Sequence, residues 1–303
     1  MSWLVEEHLT NPHQKLKELL ESRDILAVVG VFNPISALIA RQVGFECCYL
    51  SGAALTASLG MPDLSLIELN EVAAMSTYIY RASGLPMIVD VDVGFGEVLN
   101  VAKTAKTMQE AKAAAIQIED QELPKKCGHL SGKHVIETQR MVQKIKAAKK
   151  VAKDLLIVAR TDAKAVNGLK DAIDRANHYI EAGADIIFPE ALETKEEFRE
   201  FALNVKSLLL ANMTEFGKTP YISLEEFRDL GYKIVIFPVS ALRAANYAIK
   251  KTFEYIKQNG TQKGILNQMQ TRQELYELIK YNEYEDFDKA IFENNYDTQE
   301  KEV

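Results

Sequence analysis

Eight short runs of apolar residues recur along the chain, and the segments between them carry apolar positions at helical spacing. Most runs are continuously apolar rather than alternating, which is typical of parallel strands covered by helices. Strand followed by helix, repeated eight times, is the pattern of a (β/α)8 TIM-type barrel, an α/β fold. The predicted strands are Ile25–Val31, Cys47–Ser51, Met87–Asp92, Ala115–Asp120, Leu155–Arg160, Asp185–Glu190, Leu208–Met213 and Lys233–Val239.

Helical segments also precede and follow the eight repeats. Pro12–Ser22 predicts an N-terminal helix, and Ala241–Gln258 predicts a helix after the last strand. A further helical stretch, Gly264–Asn294, exceeds what one barrel needs, so its apolar positions must be buried elsewhere. We therefore predict one barrel domain over residues 1–303, in which 260–295 form an extended tail that packs on the barrel or on a neighbouring subunit.

Two helix starts can be placed from their capping residues. Asn33 followed by Pro34 has the form of an N-cap with proline in the first turn. Ser65 and Glu68 have the spacing of a capping box, in which two side chains satisfy the free backbone N–H groups of a helix start. The second pair predicts a helix over Leu66–Ala82.

Composition and charge restrict the class of partner. The formal net charge of −7 argues against a nucleic-acid-binding surface but allows an acidic small-molecule substrate, bound by local arginines and a metal. No apolar run approaches 18 residues and no secretory signal is evident, so we predict no membrane span. Three cysteines, two of them adjacent, do not form a disulfide framework, and a cytoplasmic location is expected.

Polar residues end six of the predicted strands. The active site of a (β/α)8 barrel lies at the C-terminal ends of its strands, so these side chains are expected to converge on one rim. The polar strand ends are Tyr49–Gly52, Asp90–Asp92, Glu119–Asp120, Arg160–Asp162, Pro189–Glu190 and Asn212–Thr214.

The acidic members of this rim indicate a hard metal ion. Asp90 and Asp92 lie two residues apart on a strand, so both face the same side. Together with Glu119 they offer carboxylate oxygens and no soft ligand, which suits Mg²⁺ or Mn²⁺. The alternative is that the two aspartates only solvate a strand end or cap a turn.

The segment Gln121–Lys133, between the fourth strand and the next helix, has the composition of a mobile lid. It is polar and holds two glycines, Gly128 and Gly132. Within it Cys127 has two lysines and a histidine as neighbours, and positive neighbours make a thiol a competent proton donor near neutral pH. The alternative is an ordinary exposed cysteine on a basic loop.

Several motifs resemble the isocitrate lyase/phosphoenolpyruvate mutase superfamily. The lid motif KKCGH, preceded by IEDQ and by VDVDVGFG, carries the first part of the resemblance. Isocitrate lyases share the lid motif but have long insertions, whereas the phosphonate-forming mutases lack the lid cysteine. The 2-methylisocitrate lyase branch is matched from about residue 10 to 290, by YLSGAALTASLGMPD, VARTDA, IFPEA, LANMTEFG, FPVSALRAAN and TQKGILNQMQTRQELYE.

The resemblance implies a carbon–carbon lyase that cleaves 2-methylisocitrate to pyruvate and succinate, a step of the methylcitrate cycle of propionate breakdown. Cys127 would be the acid that protonates C3 after the C2–C3 bond breaks. Tyr49 would lie near the C2 hydroxyl as the candidate base. Mg²⁺, with Mn²⁺ as the alternative, would be bound by Asp90 and Asp92 and supported by Asp63 and Glu119.

The resemblance also implies a set of substrate-lining residues and a homotetramer with a swapped C-terminal helix. Arg272 belongs to this set although it lies in the tail, so the tail would have to fold back toward a barrel mouth. The implied substrate-binding residues are Ser51, Gly52, Ala53, Gly128, His129, Arg160, Glu190, Asn212, Thr214, Arg243 and Arg272.

Two departures from the methylisocitrate branch leave the substrate open. Lys126 stands where that branch often has arginine, and lysine loses the bidentate fork. Ala53 stands where glycine is common, and its methyl group narrows the pocket. The alternatives are a lyase for isocitrate or a dialkylmalate and, from another class, a catalytically silent barrel that serves as a binding scaffold.

Overall fold

The computed structural model describes residues 11–130 and 132–299, with 293–299 described by their backbone alone. Eight parallel strands form a closed barrel in chain order, because β1 pairs with both β2 and β8. The predicted (β/α)8 barrel is confirmed. The strands are β1 (Leu26–Val31), β2 (Cys48–Leu50), β3 (Met87–Asp90), β4 (Ala115–Glu119), β5 (Leu156–Thr161), β6 (Ile186–Pro189), β7 (Leu208–Asn212) and β8 (Ile234–Phe237).

Helices connect the strands, and the predicted N-terminal helix Pro12–Ser22 is confirmed with these bounds. The Asn33 side chain accepts from the Ser36 N–H, so the predicted N-cap is also confirmed. The helices are α1 (Pro12–Ser22), α2 (Pro34–Gln42), α3 (Gly52–Ser58), α4 (Leu69–Ser83), α5 (Val98–Glu110), α6 (Thr138–Val151), α7 (Lys164–Asn167), α8 (Leu169–Glu181), α9 (Lys195–Asn204), α10 (Leu224–Asp229), α11 (Ser240–Asn259), α12 (Arg272–Leu278) and α13 (Tyr281–Gln299), with a 3₁₀ helix at Lys263–Gln268.

The capping box predicted for α4 is wrong. The helix begins at Leu69, and the Glu71 carboxylate accepts from the Glu68 N–H at 2.8 Å, so the cap lies three residues further along. Ser65 has a left-handed backbone, with φ 56°, and its hydroxyl donates to Asp92 Oδ2 at 3.3 Å. The serine is used by the strand-end site instead of by the helix start.

Helix α1 covers the N-terminal mouth of the barrel. Its Leu16, Leu19 and Leu20 share one buried cluster with the inward-facing residues of the strands, such as Val28. The ring of His13 also lies 3.1 Å from the Ala114 carbonyl at the start of β4. Since this end is filled with apolar side chains, the opposite mouth, formed by the C-terminal strand ends, is the one that can receive a ligand.

The chain divides after Ala244 into two compact units. The barrel unit contains all eight strands, and the tail unit contains most of α11 together with α12 and α13. Within the tail, the rings of Tyr276 and Tyr281 stack with centroids 4.5 Å apart. Large apolar side chains such as Phe253 and Phe292 are exposed there. None of the described helices is long and apolar enough to cross a membrane.

Candidate active site

A small cavity of about 100 Å³ lies at the C-terminal mouth of the barrel. Side chains from the ends of β2, β3, β5, β6, β7 and β8 line it together with the lid, residues 121–133. The lining residues are Tyr49, Ser51, Ala53, Asp63, Asp90, Lys125, Lys126, Cys127, Gly128, His129, Arg160, Phe188, Glu190, Asn212, Thr214, Ile236, Pro238, Val239 and Arg243.

Three buried carboxylates meet beside this cavity. Asp90, Asp92 and Glu119 each place an oxygen within 4.8 Å of the others. The Gly52 N–H donates to Asp90 Oδ2 at 3.1 Å, and the Asp92 N–H donates to Asp90 Oδ1 at 3.2 Å. A Cβ on Gly52 would lie 3.2 Å from Asp90 and 3.3 Å from Asp92, so glycine keeps this side of the group uncrowded.

The electrostatics of this acidic group favour a bound cation. Burial, followed by the charge of Asp92, raises the pKa of Asp90 to about 6. Burial also raises the pKa of Glu119 well above its ordinary value, and its Oε1 has no hydrogen-bond partner among the described residues. Buried carboxylates that are costly to ionise, with an oxygen unpaired, fit a hard divalent ion.

Lys125 reaches from the lid into the acidic group. Its ammonium contacts Asp63 and lies 2.7 Å from Asp92 Oδ1, and the side chain is only 4% exposed. Burial alone would lower the pKa of Lys125, but Glu119, Asp92, Asp90 and Asp63 raise it overall. Lys125, two residues before Cys127, is therefore an ionised partner of the strand-end carboxylates as well as part of the lid.

Tyr49 lines the cavity from β2. Its hydroxyl donates to Gln117 Oε1 at 2.6 Å, and the residue is almost fully buried. Burial, and then the charge of Asp90, raises the pKa of Tyr49 well above its ordinary value. The phenol therefore keeps its proton at neutral pH in this arrangement and acts as a hydrogen-bond donor.

Arg160 lines the cavity and links three carboxylates. Its Nε and one terminal nitrogen pair with Asp162 at 2.9 and 3.1 Å, and its other terminal nitrogen lies 3.2 Å from Glu119 and 3.3 Å from Glu190. Burial would raise the pKa of Glu190, but Arg160 and His129 lower it to about 2. Glu190 is thus an ionised acceptor at the cavity wall.

Buried side chains hold the lid backbone around Cys127. The amide of Gln121 accepts from the Lys126 N–H at 2.9 Å and donates to the Lys126 carbonyl at 2.8 Å. Lys133 donates to the Gly128 carbonyl and pairs with Asp162 at 2.6 Å. Cys127 itself is exposed, so its thiol lies on a well-anchored segment and can face a ligand.

Two further side chains shape the wall on the β7 and β8 side. Arg243 donates to Glu215 Oε2 at 2.7 Å and to the Glu215 carbonyl at 2.8 Å. The amide nitrogen of Asn212 lies 3.5 Å from Glu190, while its Oδ1 is buried without a partner among the described residues. These groups offer a cation and amide hydrogen bonds to a carboxylate ligand.

Comparison with known proteins identifies the relatives of this chain. The family model of phosphoenolpyruvate phosphomutase matches residues 16–257. A 2-methylisocitrate lyase of Aeropyrum pernix is 56% identical over 291 residues, which are 96% of this chain and 94% of that protein. A 2-methylisocitrate lyase of Bacillus subtilis is 51% identical and covers 96% and 97% of the two chains.

Solved structures of related proteins superpose on this chain over most of its length. A 2,3-dimethylmalate lyase, described as a PEP mutase/isocitrate lyase superfamily member, superposes with a TM-score of 0.87 at 33% identity, covering 93% of this chain and 96% of that one. The chain belongs to the isocitrate lyase/phosphoenolpyruvate mutase superfamily. An oxaloacetate acetylhydrolase also superposes with a TM-score of 0.86 at 32% identity, over 93% and 97% of the two chains. The superfamily therefore uses one barrel for more than one reaction.

Most residues predicted for a superfamily active site come together. Asp92, Glu119 and Gly52 are absent from the cavity lining, but Asp92 and Glu119 belong to the acidic group beside it, and the Gly52 N–H donates to Asp90 of that group. Arg272 is exposed at the start of α12 in the tail unit, and its part in the site stays a prediction. The other predicted residues line the cavity: Tyr49, Ser51, Ala53, Asp63, Asp90, Cys127, Gly128, His129, Arg160, Glu190, Asn212, Thr214 and Arg243.

Sequence reasoning missed three buried partners of the site. Gln117 lies two residues before Glu119 on β4, and that even spacing from a predicted site residue could have indicated that it faces the same side. Asp162 was predicted only as part of a polar strand end, without its role as the partner of Arg160 and Lys133. Lys133 carried no signal, because a lysine in a polar loop predicts solvent exposure.

Proposed function

We propose that this protein is a divalent-metal-dependent 2-methylisocitrate lyase that forms pyruvate and succinate. The observation that carries the proposal is that Asp90 and Cys127 line one cavity, so that the acidic group and the lid thiol can act on the same bound molecule. Its 56% and 51% identity to proteins named 2-methylisocitrate lyase supports the substrate.

Asp90 and Asp92 would hold the metal, directly or through water, with Glu119 and Asp63 in support. Mg²⁺ is the preferred ion and Mn²⁺ the alternative, since the group offers only oxygen ligands. When bound, the ion would neutralise the α-hydroxy-acid end of the substrate, which becomes pyruvate. Gly52 keeps room beside these carboxylates and orients Asp90 through its N–H.

The cleavage itself needs one proton removed and one delivered. The C2 hydroxyl loses its proton as the C2–C3 bond breaks, and the electron pair passes into the carboxylate next to C3. That proton needs an acceptor in the cavity, and we infer that the Asp90 carboxylate, which is ionised above its pKa of about 6, takes it. Tyr49, the candidate base from the resemblance, lines the same cavity, but its raised pKa keeps the phenol protonated. Since the phenol donates its proton to Gln117, its oxygen can accept a hydrogen bond from the C2 hydroxyl. Cys127 delivers a proton to C3 from the lid side.

The succinate end of the substrate requires groups that recognise carboxylates. Arg243 and Asn212 line the cavity wall and present cationic and amide donors. Arg160 is already surrounded by Glu119, Asp162 and Glu190, so its main part is to hold these carboxylates in place. Charge that develops on the succinate moiety would then be stabilised by donors that are oriented in advance.

We also propose that the protein is a homotetramer in which the C-terminal helices are exchanged between subunits. The tail exposes large apolar side chains, including Tyr247, Phe253, Phe287 and Phe292. Apolar exposure of this kind favours burial against another chain. Sedimentation of the full chain tests the stoichiometry, and a variant truncated after Gln270 tests whether the tail is required for assembly.

The catalytic proposal is tested by comparing substrates on the full-length protein. Pyruvate release from 2-methylisocitrate is followed with lactate dehydrogenase after EDTA treatment and after Mg²⁺ or Mn²⁺ is restored. We expect activity only with metal and a higher kcat/KM for 2-methylisocitrate than for isocitrate, whose cleavage is followed as glyoxylate. Absence of cleavage of any tested acid would reject the lyase proposal and favour the binding scaffold.

The second candidate is a lyase for isocitrate or a dialkylmalate. Two observations support this second candidate. Lys126 lines the cavity where the methylisocitrate branch often has arginine, and the chain is 33% identical to a 2,3-dimethylmalate lyase. A kcat/KM that is higher for 2,3-dimethylmalate or isocitrate than for 2-methylisocitrate would establish this alternative. Lys126→Arg then shows whether the loss of the bidentate fork changed the substrate preference.

A further inference from the structure

The lid is anchored on one side of the barrel mouth by its own neighbours. Gln121 holds Lys126 from the end of β4, Lys133 pairs with Asp162 at the end of β5, and Lys125 pairs with Asp92 at the end of β3. These three strands are adjacent in the barrel. Side chains from β3 to β5 therefore hold the lid at its base.

A fourth contact comes from across the mouth. The loop that connects β7 to α10, residues 213–223, is called the β7 loop here. Its Lys218 N–H donates to Nδ1 of the lid residue His129 at 3.0 Å. Since β7 is three strands from β4 around the barrel, this bond bridges the cavity opening rather than its base.

The contact between the β7 loop and His129 also accounts for the glycine at position 217. Gly217 has a backbone that any residue adopts, so no left-handed φ requires glycine there. A Cβ at this position would nevertheless lie 2.8 Å from Nδ1 and 2.9 Å from Cε1 of His129, which is closer than side chains approach. A side chain at 217 would therefore displace the imidazole, which packs against the backbone of the β7 loop.

His129 connects this loop to the cavity wall. An N–H aimed at Nδ1 requires a lone pair on that atom, so the ring proton sits on Nε2. Nε2 lies 3.1 Å from Glu190 Oε1, inside the site. The β7 loop also contacts the start of α11, because Arg243 donates to the Glu215 carboxylate.

We propose that Gly217 and Lys218 form a latch that holds His129, and thereby positions Cys127 over the cavity. Gly217 acts only by leaving room for the ring, and Lys218 acts only through its backbone N–H. Both are positioning residues that touch neither substrate nor metal. The proposal deepens the lyase function stated above and rests on it for its catalytic meaning, but the latch itself is a property of the ligand-free chain.

Hydrogen–deuterium exchange of the lid, followed by mass spectrometry on the ligand-free protein, tests the latch. Gly217→Ala displaces the ring and costs about one hydrogen bond, so lid peptides over residues 121–133 should exchange roughly fivefold faster. His129→Ala should give a similar increase. Tyr221→Ala is the matched control, because Tyr221 is exposed in the same loop and should leave lid exchange unchanged.

A double-mutant cycle separates the latch from a general effect on folding. If Gly217 acts through the imidazole, Gly217→Ala should cause no further change in lid exchange in the His129→Ala background. An equal increase in both backgrounds, or unchanged lid exchange in Gly217→Ala, would overturn the proposal. Thermal unfolding of each variant shows that the exchange differences arise in folded protein.

Kinetics on the same variants connect the latch to catalysis. Gly217→Ala should lower kcat by about the factor by which lid exchange rises, while KM for the substrate changes less, because the lid positions the proton donor. If lid exchange responds as expected but no acid is cleaved by any variant, the latch stands and the lyase function fails. If the wild type cleaves 2-methylisocitrate and lid exchange does not respond, the latch fails alone.

Discussion

The ammonium of Lys125 lies 2.7 Å from Asp92 Oδ1, so a lid residue and a strand-end carboxylate form one buried ion pair. The lid is therefore electrostatically coupled to the carboxylates that we propose as the metal site. Removing one member of such a pair leaves the other charge buried without compensation, which is strongly destabilising.

We expect Lys125→Gln to destabilise the metal-free protein by about 3 kcal/mol, because Asp63, Asp90 and Asp92 then repel one another without a cation. Saturating Mg²⁺ should restore part of the loss. Chemical denaturation with and without Mg²⁺ measures both quantities. Lys126→Gln is the control, since among the described residues the Lys126 ammonium has one hydrogen-bond partner, the Gly132 carbonyl at 3.0 Å. Equal unfolding free energies for the two variants would contradict the prediction.

Binding of Mg²⁺ should strengthen as the pH rises through about 6. The pKa of Asp90 is raised from 3.8 to about 6, first by burial and then by Asp92, and a carboxyl must be deprotonated to bind a metal. Below pH 6 we expect the dissociation constant to increase by up to about tenfold per pH unit. Calorimetric titration from pH 5 to 8 measures the dissociation constant of Mg²⁺. Glu46→Gln is the control, because it removes an exposed carboxylate that is paired with Arg23.

The stability of the metal-free protein should show the opposite dependence on pH. A carboxyl whose pKa is higher in the folded than in the unfolded chain binds its proton more tightly when folded. Between about pH 4 and pH 6 the contribution of Asp90 to the unfolding free energy therefore decreases as the pH rises. Asp90→Asn should remove this contribution. A pH slope of unfolding that is identical in wild type and Asp90→Asn would contradict it.

Cys127→Ser should lower kcat by about 10²–10⁴ and leave KM nearly unchanged, because a hydroxyl is a much weaker acid than a thiol. The exposed position of Cys127 predicts an unchanged unfolding free energy. Steady-state pyruvate formation and thermal unfolding measure the two effects. A kcat within threefold of wild type would remove Cys127 from the role of acid.

Tyr49→Phe should lower kcat by about 10² if the phenol hydrogen-bonds to the reacting oxygen. Gln117→Met keeps the phenol but removes its acceptor at 2.6 Å, so we expect a smaller loss, about tenfold. Both are measured as kcat at saturating Mg²⁺. If Gln117→Met lost as much as Tyr49→Phe, the orientation of the phenol, rather than its hydrogen bond to substrate, would be the important quantity.

The strands and the strand-end residues could be predicted because they follow from local patterns. An apolar run that stops at a polar residue marks a strand end, and in a closed barrel all such ends meet, which brought Asp90, Glu190 and Asn212 to one mouth. The partners of these residues could not be found in that way. Gln117 meets Tyr49 across 68 positions and Lys218 meets His129 across 89, and no local pattern encodes such pairs.

Ser65 and Lys125 show how a correct local rule can fail near a site. Ser65 has the right spacing for a helix cap, but the competing partner Asp92 takes its hydroxyl. The local sequence predicts that Lys125 is a solvated basic residue near a thiol, but carboxylates such as Asp92 make its burial favourable. In both cases a carboxylate distant in sequence outweighs the local preference.

The three cysteines differ in solvent exposure, so the lid carries the one cysteine that a thiol reagent can reach from solution. Cys47 and Cys48 are buried in the barrel wall, and burial raises the pKa of both thiols, that of Cys48 to about 12. A maleimide dye or a spin label added to the wild-type chain should therefore attach at Cys127 alone. The motion of the lid can then be recorded optically or magnetically in the ligand-free protein, with no cysteine engineered in or out.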